Sequence, residues 1–321
     1  MPPAVGYTAA LFAAAPRRQQ HKRLDTHRTD SSRVTSPDGV LEAGTAAGGH
    51  VRWVAVDLTA PVEFIRRRRD LSPVSSAALG RALAGAAMLL RLSSKTPHRL
   101  VLEIRGDGPL GKVMTEAERN GNLRGLVSEP RVDVPAYANG KLAVGRAIGR
   151  GILQVLREYD EGGRYHSQVE LVSGEIGADL AHYLKQSEQT PSAVLVGVLT
   201  RPAGVAAAGG LIVEPLPNAP DHIVAKLEAN LAGAREASRL LEVGGVAELK
   251  GTVLDGLEAQ RLESQAVRYH CRCSRERLLG QLLGLSAEQL EELGIGSEVA
   301  QAECGFCGEV YLFQPSELRP Q

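Results

Sequence analysis

Aromatic residues make up only 4% of the 321-residue chain, with one tryptophan. Leu, Val, Ile and Ala must therefore build the core. Cysteine is scarcer still, at four residues, so the interior is not stapled by a framework of disulfides. Charge of either sign is not in excess: 37 Lys and Arg balance 37 Asp and Glu. A chain without net charge has no overall electrostatic pull toward nucleic acid or anionic lipid. No apolar run is read as long enough to cross a bilayer. Hydrophobic residues at 43% and charged residues at 23% are ordinary for a globular protein with room for more than one domain.

Residues 1–44 are expected to form a disordered extension. The stretch "PRRQQHKRLDTHRTDSSRVTSPDG" is polar and lacks a periodic apolar face. The preceding "AVGYTAALFAAA" resembles a signal-peptide core, but its basic cluster follows instead of preceding it. It is read as an unstructured extension or as a start codon assigned too early.

Residues 45–219 read as a mixed domain of class α+β, with strands and helices that do not alternate regularly. "HVRWVAVDLT" (50–59) is a strand. "SPVSSAALGRALAGAAMLLRLSS" (72–94) is a long helix with Ser72 as N-cap and Pro73 in its first turn. "HRLVLEIRGDGPLGKVMTEA" is two strands about a tight turn. Strands follow at 152–159 and 167–174, a helix at 175–189, and a strand pair at 192–200 and 206–217. Residues 220–268 read as a partly helical connector. Its face of Ile223, Leu227, Leu231, Ala234 and Leu241 is poor in apolar area and should dock weakly.

All four cysteines fall in the last domain, residues 269–315, as Cys271-x-Cys273 and Cys304-x-x-Cys307. Thiolates so spaced can converge on one tetrahedral Zn²⁺. Between them, Ser274 can cap a helix carrying Leu278, Leu279, Leu282 and Leu283, ended by Gly284. Ser286 and Gln289 have capping-box spacing for a second helix with Leu290 and Leu293, closed by Gly294. These leucines, with Tyr311 and Phe313, form a mini-core too small to fold securely alone, so metal ligation must supply much of its stability. His270 adjoins the first pair and is read as a bystander. A disulfide across Cys-x-Cys closes a small strained ring, which suits a switch better than a staple. Arg272, Arg275 and Arg277 should favour thiolate over thiol.

Three classes compete for this pattern. A zinc-ribbon regulator binding nucleic acid or a protein partner is disfavoured by charge: residues 271–307 hold three Arg, no Lys and six Glu. A thiol–disulfide oxidoreductase would need an active pair on a thioredoxin-like unit, which neither pair has. The third is a redox-sensitive zinc module. "GDGPLG" lacks the Lys-Ser/Thr of a P-loop and is read as a turn. "RRRR" (66–69) is read as a solvated surface. "SGEIGADL" and "SEQTPS" form no nucleophile–base arrangement, so no enzyme is expected.

With those residues in view, the chain resembles the 33 kDa chaperonin family of redox-regulated holdases. The resemblance rests on "LSPVSSAALGRALAGAAMLL", "GDGPLG", "NGNLRGLV", "VSGEIGADLAHYLKQSEQTPSAVLVGV", "AAGGLIVEPLP", "CRCSRER" and "CGFCGEVYLF", in that order. It covers roughly residues 45 to 315 and implies an N-terminal α/β domain, a connector and a C-terminal zinc module. It implies one Zn²⁺ held by Cys271, Cys273, Cys304 and Cys307 in the reduced, inactive state. It also implies disulfides Cys271–Cys273 and Cys304–Cys307 on oxidation, with loss of zinc and unfolding of module and connector. The exposed apolar surface would then hold unfolding or oxidatively damaged client proteins without ATP, as a homodimer in the cytoplasm, with no nucleic-acid or membrane partner.

Overall fold

The computed structural model describes residues 34–93, 95, 97–234, 236–292 and 299–318. Residues 1–33 of the expected extension, and Leu293 and Gly294, lie outside the described residues. Thr35–His270 form one compact unit, and the chain from Cys271 onward belongs to a second.

The first unit carries strands β1 (Val34–Thr35), β2 (Gly39–Ala46) and β3 (Val51–Asp57), then helices α1 (Thr59–Arg69) and α2 (Pro73–Leu92). Strands β4 (Arg99–Gly106), β5 (Lys112–Glu118) and β6 (Asn122–Val127) follow, then α3 (Val144–Ile148), β7 (Gly151–Glu158), β8 (Arg164–Glu170) and α4 (Gly177–Ser187). Strands β9 (Ala193–Arg201) and β10 (Gly204–Pro215), helices α5 (Asp221–Gly233) and α6 (Ala237–Val253), and strand β11 (Gln260–Cys271) complete it. The main sheet runs β8-β7-β4-β5-β6-β11-β2-β3-β10-β9. Its pairings are antiparallel except β6 with β11, which meet in parallel only at Arg268↔Asn122 and Tyr269↔Leu123. β11 thus joins two half-sheets. This is an α+β architecture, as expected.

Helix α2 is the centre of the core. Ser72 Oγ accepts the Ser75 N–H at 3.2 Å, and Pro73 occupies the first turn, where a missing N–H costs nothing. The helix packs on β5, β10, β9, β3, β4 and β6. It has the length and composition to cross a membrane, against the reading that no run does, yet 89% of its apolar window is buried inside the protein. Its hydrophobicity therefore serves burial between the half-sheets. The "GDGPLG" turn docks on α3: Gly108 N–H donates to the Ile148 carbonyl at 2.8 Å, and Asp107 Oδ1 accepts the Arg150 N–H at 2.7 Å. A Cβ on Gly106 would lie 1.8 Å from the Ile148 carbonyl oxygen, so only glycine permits the approach.

Two features depart from the sequence reading and one agrees with it. Strand β2 begins at Gly39 and pairs with β3 and β11, inside the stretch expected to be without structure. "RRRR", the last turn of α1, is a solvated surface as expected, with Arg66 and Arg67 also binding Glu63. Residues 260–268 of the connector are strand, not helix.

The connector helices also pack more fully than their small-residue face suggested. Leu227, Ala234 and Leu241 are buried, and Ile223 and Leu231 partly so. They join Val246, Leu249, Val253, Leu254 and Leu257 over Trp53, Leu211 and Val213. The sheet face opposite α2 is thereby covered by α5 and α6, and β3 is buried on both sides. Inclusion of α6's second half supplies the apolar area that the five-residue stripe lacks.

A four-cysteine candidate metal centre

The second unit holds α7 (Arg275–Leu283), α8 (Ala287–Glu292), β12 (Ala300–Glu303) and β13 (Val310–Phe313). Ser274 Oγ caps α7 by accepting the Arg277 N–H at 3.3 Å. Ser286 and Gln289 form the expected reciprocal cap at 2.9 and 3.2 Å. Leu278, Leu282, Ala300, Ala302, Phe313 and Leu318 make the mini-core, with Leu279, Leu290 and Tyr311 packed against it. Leu283 is 50% exposed and does not join it, because it lies off the helix face that Leu278 and Leu282 share.

β12 and β13 pair from Ala300↔Phe313 to Glu303↔Val310. The turn between them is a knuckle. Cys304 N–H donates to the Glu309 carbonyl, and Gly308 N–H to the Cys304 carbonyl, each at 2.8 Å. Gly308 at φ 72 permits the reversal. The knuckle presents Cys304 and Cys307, while the end of β11 and the residues leading into α7 present Cys271 and Cys273.

All four sulfurs lie within 4.8 Å of one another. Cys271 Sγ is 3.7 Å from Cys304 Sγ, and Cys273 Sγ is 3.5 Å from Cys307 Sγ. Four thiolates at about 2.3 Å from a tetrahedral zinc would sit about 3.8 Å apart. The donor set and spacing therefore fit a tetrathiolate-bound cation of zinc's size. None of the four is in a disulfide; Cys271, Cys304 and Cys307 are buried and Cys273 is partly exposed. His270 stands apart from the sulfur set, its Nδ1 hydrogen-bonded to Thr35 Oγ1 at 2.9 Å.

Packed this closely, the sulfurs titrate as one set. Cys304 is held far below the usual thiol range, first by its hydrogen bond with Cys271, then by Cys273 and Cys307. Cys273 is lowered too, first through Cys271. Cys271 is pushed up, first by Cys273, and Cys307 is pushed up, first by Cys271. Negative charge is thus gathered among the sulfurs, where a dication would neutralise it. The arginine contribution expected from sequence is smaller. Arg275 is committed to Glu317 at 2.7 Å and to the Leu312 carbonyl at 3.0 Å, with its guanidinium 4.7 Å from the Phe313 ring centre. Arg277 donates to the Arg272 carbonyl at 3.1 Å.

The chain also matches known proteins over most of its length. A family model described as "Hsp33 protein" covers residues 40–314. The chain belongs to the Hsp33 family. It is 44% identical to a 33 kDa chaperonin of Thermus thermophilus over 88% of its length and 86% of that protein's. It is 45% identical to the 33 kDa chaperonin of Symbiobacterium thermophilum, over 87% and 95% respectively. The crystal structure of the 33 kDa chaperonin of Thermotoga maritima superposes with a TM-score of 0.80 at 33% identity, covering 87% of this chain and 96% of that one. Hsp33 membership supports a chaperone role for the chain.

Two contacts around the four cysteines are not legible in the sequence. Tyr311 Oη donates to Cys273 Sγ at 3.3 Å. Its position four residues past Cys307 was the available signal. Arg275 and Glu317 tie α7 to the segment after β13, a pairing that sequence spacing does not announce.

Proposed function

We propose that the chain is a redox-regulated, ATP-independent holdase that binds unfolding or oxidatively damaged proteins and keeps them from aggregating. The observation that carries this reading is the gathering of four reduced sulfurs in a unit whose described residues bury a cluster of only six apolar side chains. Cys271, Cys273, Cys304 and Cys307 would hold one Zn²⁺, which when bound supplies a cross-link between the knuckle and the end of β11. Binding free energies of about 10–16 kcal/mol in small zinc modules are largely folding free energy. A whole domain is stable by only about 5–15 kcal/mol. Consuming the sulfurs should therefore unfold the module.

The consuming reaction is thiol oxidation within each pair, Cys271 with Cys273 and Cys304 with Cys307. One thiolate attacks a peroxide oxygen, expelling hydroxide and leaving a sulfenic acid. The partner thiolate then displaces a second hydroxide and closes the S–S bond. Two peroxides take four electrons and leave no thiolate to bind a cation. The connector then loosens from the apolar face of β3 and β10, which becomes the surface offered to clients. We place this activity in the cytoplasm, with the oxidised form a homodimer. It works by binding and turns over no substrate; it has neither nucleic acid nor membrane as partner.

Light scattering of a chemically unfolded test protein, with reduced and with peroxide-treated chain under mild heat, tests the reading. Suppression by the oxidised form alone, with one zinc released and four thiols lost, is expected. Equal suppression in both forms, or release of zinc without new binding of a hydrophobic dye, overturns it. Cys273→Ser should retain zinc more weakly and be partly active when reduced.

A further inference from the structure

Helix α6 is not one helix. Gly244 (φ −149, ψ 19) and Gly245 (φ 62, ψ −149) break it into two parts, 237–243 and 246–253. The parts are held to the sheet differently. The first lies on a track of glycines: a Cβ on Gly197 would be 3.0 Å from the Ser238 backbone nitrogen, and one on Gly209 would be 3.1 Å from Leu241 Cδ1. It approaches closely and adds Ala237 and Leu241 to the buried cluster, smaller in sum than the Val246, Leu249 and Val253 of the second part. Its ion pair, Arg201 with Glu242 at 2.7 Å, has side chains 53% and 31% exposed, and such pairs contribute little.

The second part is anchored. Val246, Leu249 and Val253 are buried in the cluster that contains Trp53. Lys250 Nζ lies 4.9 Å from the Trp53 ring centre and 3.0 Å from Glu42 Oε2. Glu42, on β2, also accepts from Arg261 Nη1 of β11 at 2.8 Å. Its side chain is 12% exposed and Lys250's is 22%, so this pair is better shielded than Arg201–Glu242. One carboxylate therefore fastens both α6 and the strand that leads to Cys271.

We infer that α6 is a two-part cover hinged at Gly244–Gly245, and that Glu42 is the positioning residue that keeps its second part shut. The first part opens readily; the second opens only when the Glu42–Lys250–Trp53 contact gives way. The consequence for activation rests on the holdase reading, whereas the fastening itself does not.

Hydrogen exchange on the reduced, zinc-loaded full chain, without client or oxidant, tests the fastening alone. In the native protein, amides of 237–243 should exchange at least 10-fold faster than those of 246–253. Glu42→Gln keeps the shape and removes the charge. It should speed exchange in 246–253 about 10-fold and raise Trp53 emission changes at lower urea. Zinc stoichiometry and α2 protection should stay as in the native chain, which a general loss of stability would not allow. Lys250→Met keeps the stem over Trp53 and should reproduce the effect, and the double variant should add little to either single one. Uniform exchange across α6 in the native chain, or native-like protection of 246–253 in both variants, overturns the inference. Absence of holdase activity after oxidation would sink the functional reading while leaving these exchange results to stand or fall separately.

Discussion

Glu63 shows how much one carboxylate can join. It accepts from Arg66 at 2.7 Å and from the Val205 N–H at 2.9 Å, and pairs with Arg67 as well. It thereby ties α1 to the start of β10. The Arg66 hydrogen bond first, then the Val205 N–H and Arg67, hold its carboxyl down at about 2. An unfolded glutamate titrates near 4.3. Because the folded value is depressed, the stabilisation is present above the unfolded value and is lost as pH falls toward the folded one. Arg67 is 69% exposed, so solvent screens part of the cluster and the contribution is about 1 kcal/mol. Glu63→Gln should lower stability by that amount at pH 7. Urea titrations of the two proteins from pH 7 to pH 2 should converge between about pH 5 and pH 2. A gap that persists at pH 2 would assign the effect to packing. Tyr311 acts at the same scale on the sulfur site. Its hydroxyl donates to Cys273 and is itself pushed up, by burial first and by Cys273 next. Outer-shell partners of metal ligands typically alter affinity about 10–100-fold. Tyr311→Phe should keep one zinc per chain in the reduced state and weaken its hold by about 10-fold, read by competition with a chromophoric chelator.

Element by element, legibility in the sequence followed how local each element's causes are. α2, α7 and the cap of α8 announce themselves through Ser72, Ser274 and Ser286, whose partners lie three residues away. The β4–β5 hairpin is declared by Gly-Asp-Gly-Pro. β11 gives no such signal. Its first seven residues are largely exposed, and it is a strand because Gln260 pairs with Thr45 and Val267 with Gly39, more than 200 positions back. β2 was hidden for the same reason. The cysteine site was readable because its spacing is local, while the Tyr311 and Arg275 contacts depend on how the β12–β13 hairpin closes. "SGEIGADL" is an instructive intermediate. Its polar residues make no nucleophile–base arrangement, and the spacing alone does not reveal what they hold. Asp179, fully buried, accepts the N–H groups of Val172, Ser173 and Ile176 at 2.8, 2.9 and 2.8 Å, and of Gly174 at 3.3 Å. That cradle holds Ile176 at φ 66, a conformation β-branched residues avoid. An amide has only one acceptor oxygen to offer those donors. Asp179→Asn should therefore cost about 3 kcal/mol in urea unfolding, and Asp179→Asn with Ile176→Gly should recover part of it.

At the scale of the molecule, the two units draw their stability from different sources. Residues 35–270 have the α2-centred core and a continuous sheet. Among the described residues, the unit from Cys271 onward has a six-residue buried cluster beside four sulfurs. Below about 40–50 residues, apolar burial alone seldom sustains a fold, and metal ligation commonly makes up the difference. Heat should therefore unfold the protein in two steps. The lower transition should move with metal: a strong chelator under reducing conditions should depress it by 20 °C or more, and excess zinc should raise it, as ligand linkage requires. The upper transition should hold its position, since no cysteine lies within residues 35–270. Scanning calorimetry with hydrogen exchange at each plateau separates the steps. After the first, amides of 275–283 and 300–313 should be unprotected while α2 amides exchange as in the native protein. A single transition that shifts as a whole with chelator would mean that the metal holds the entire chain together. It would also mean that oxidising the sulfurs collapses the sheet that is meant to receive a client.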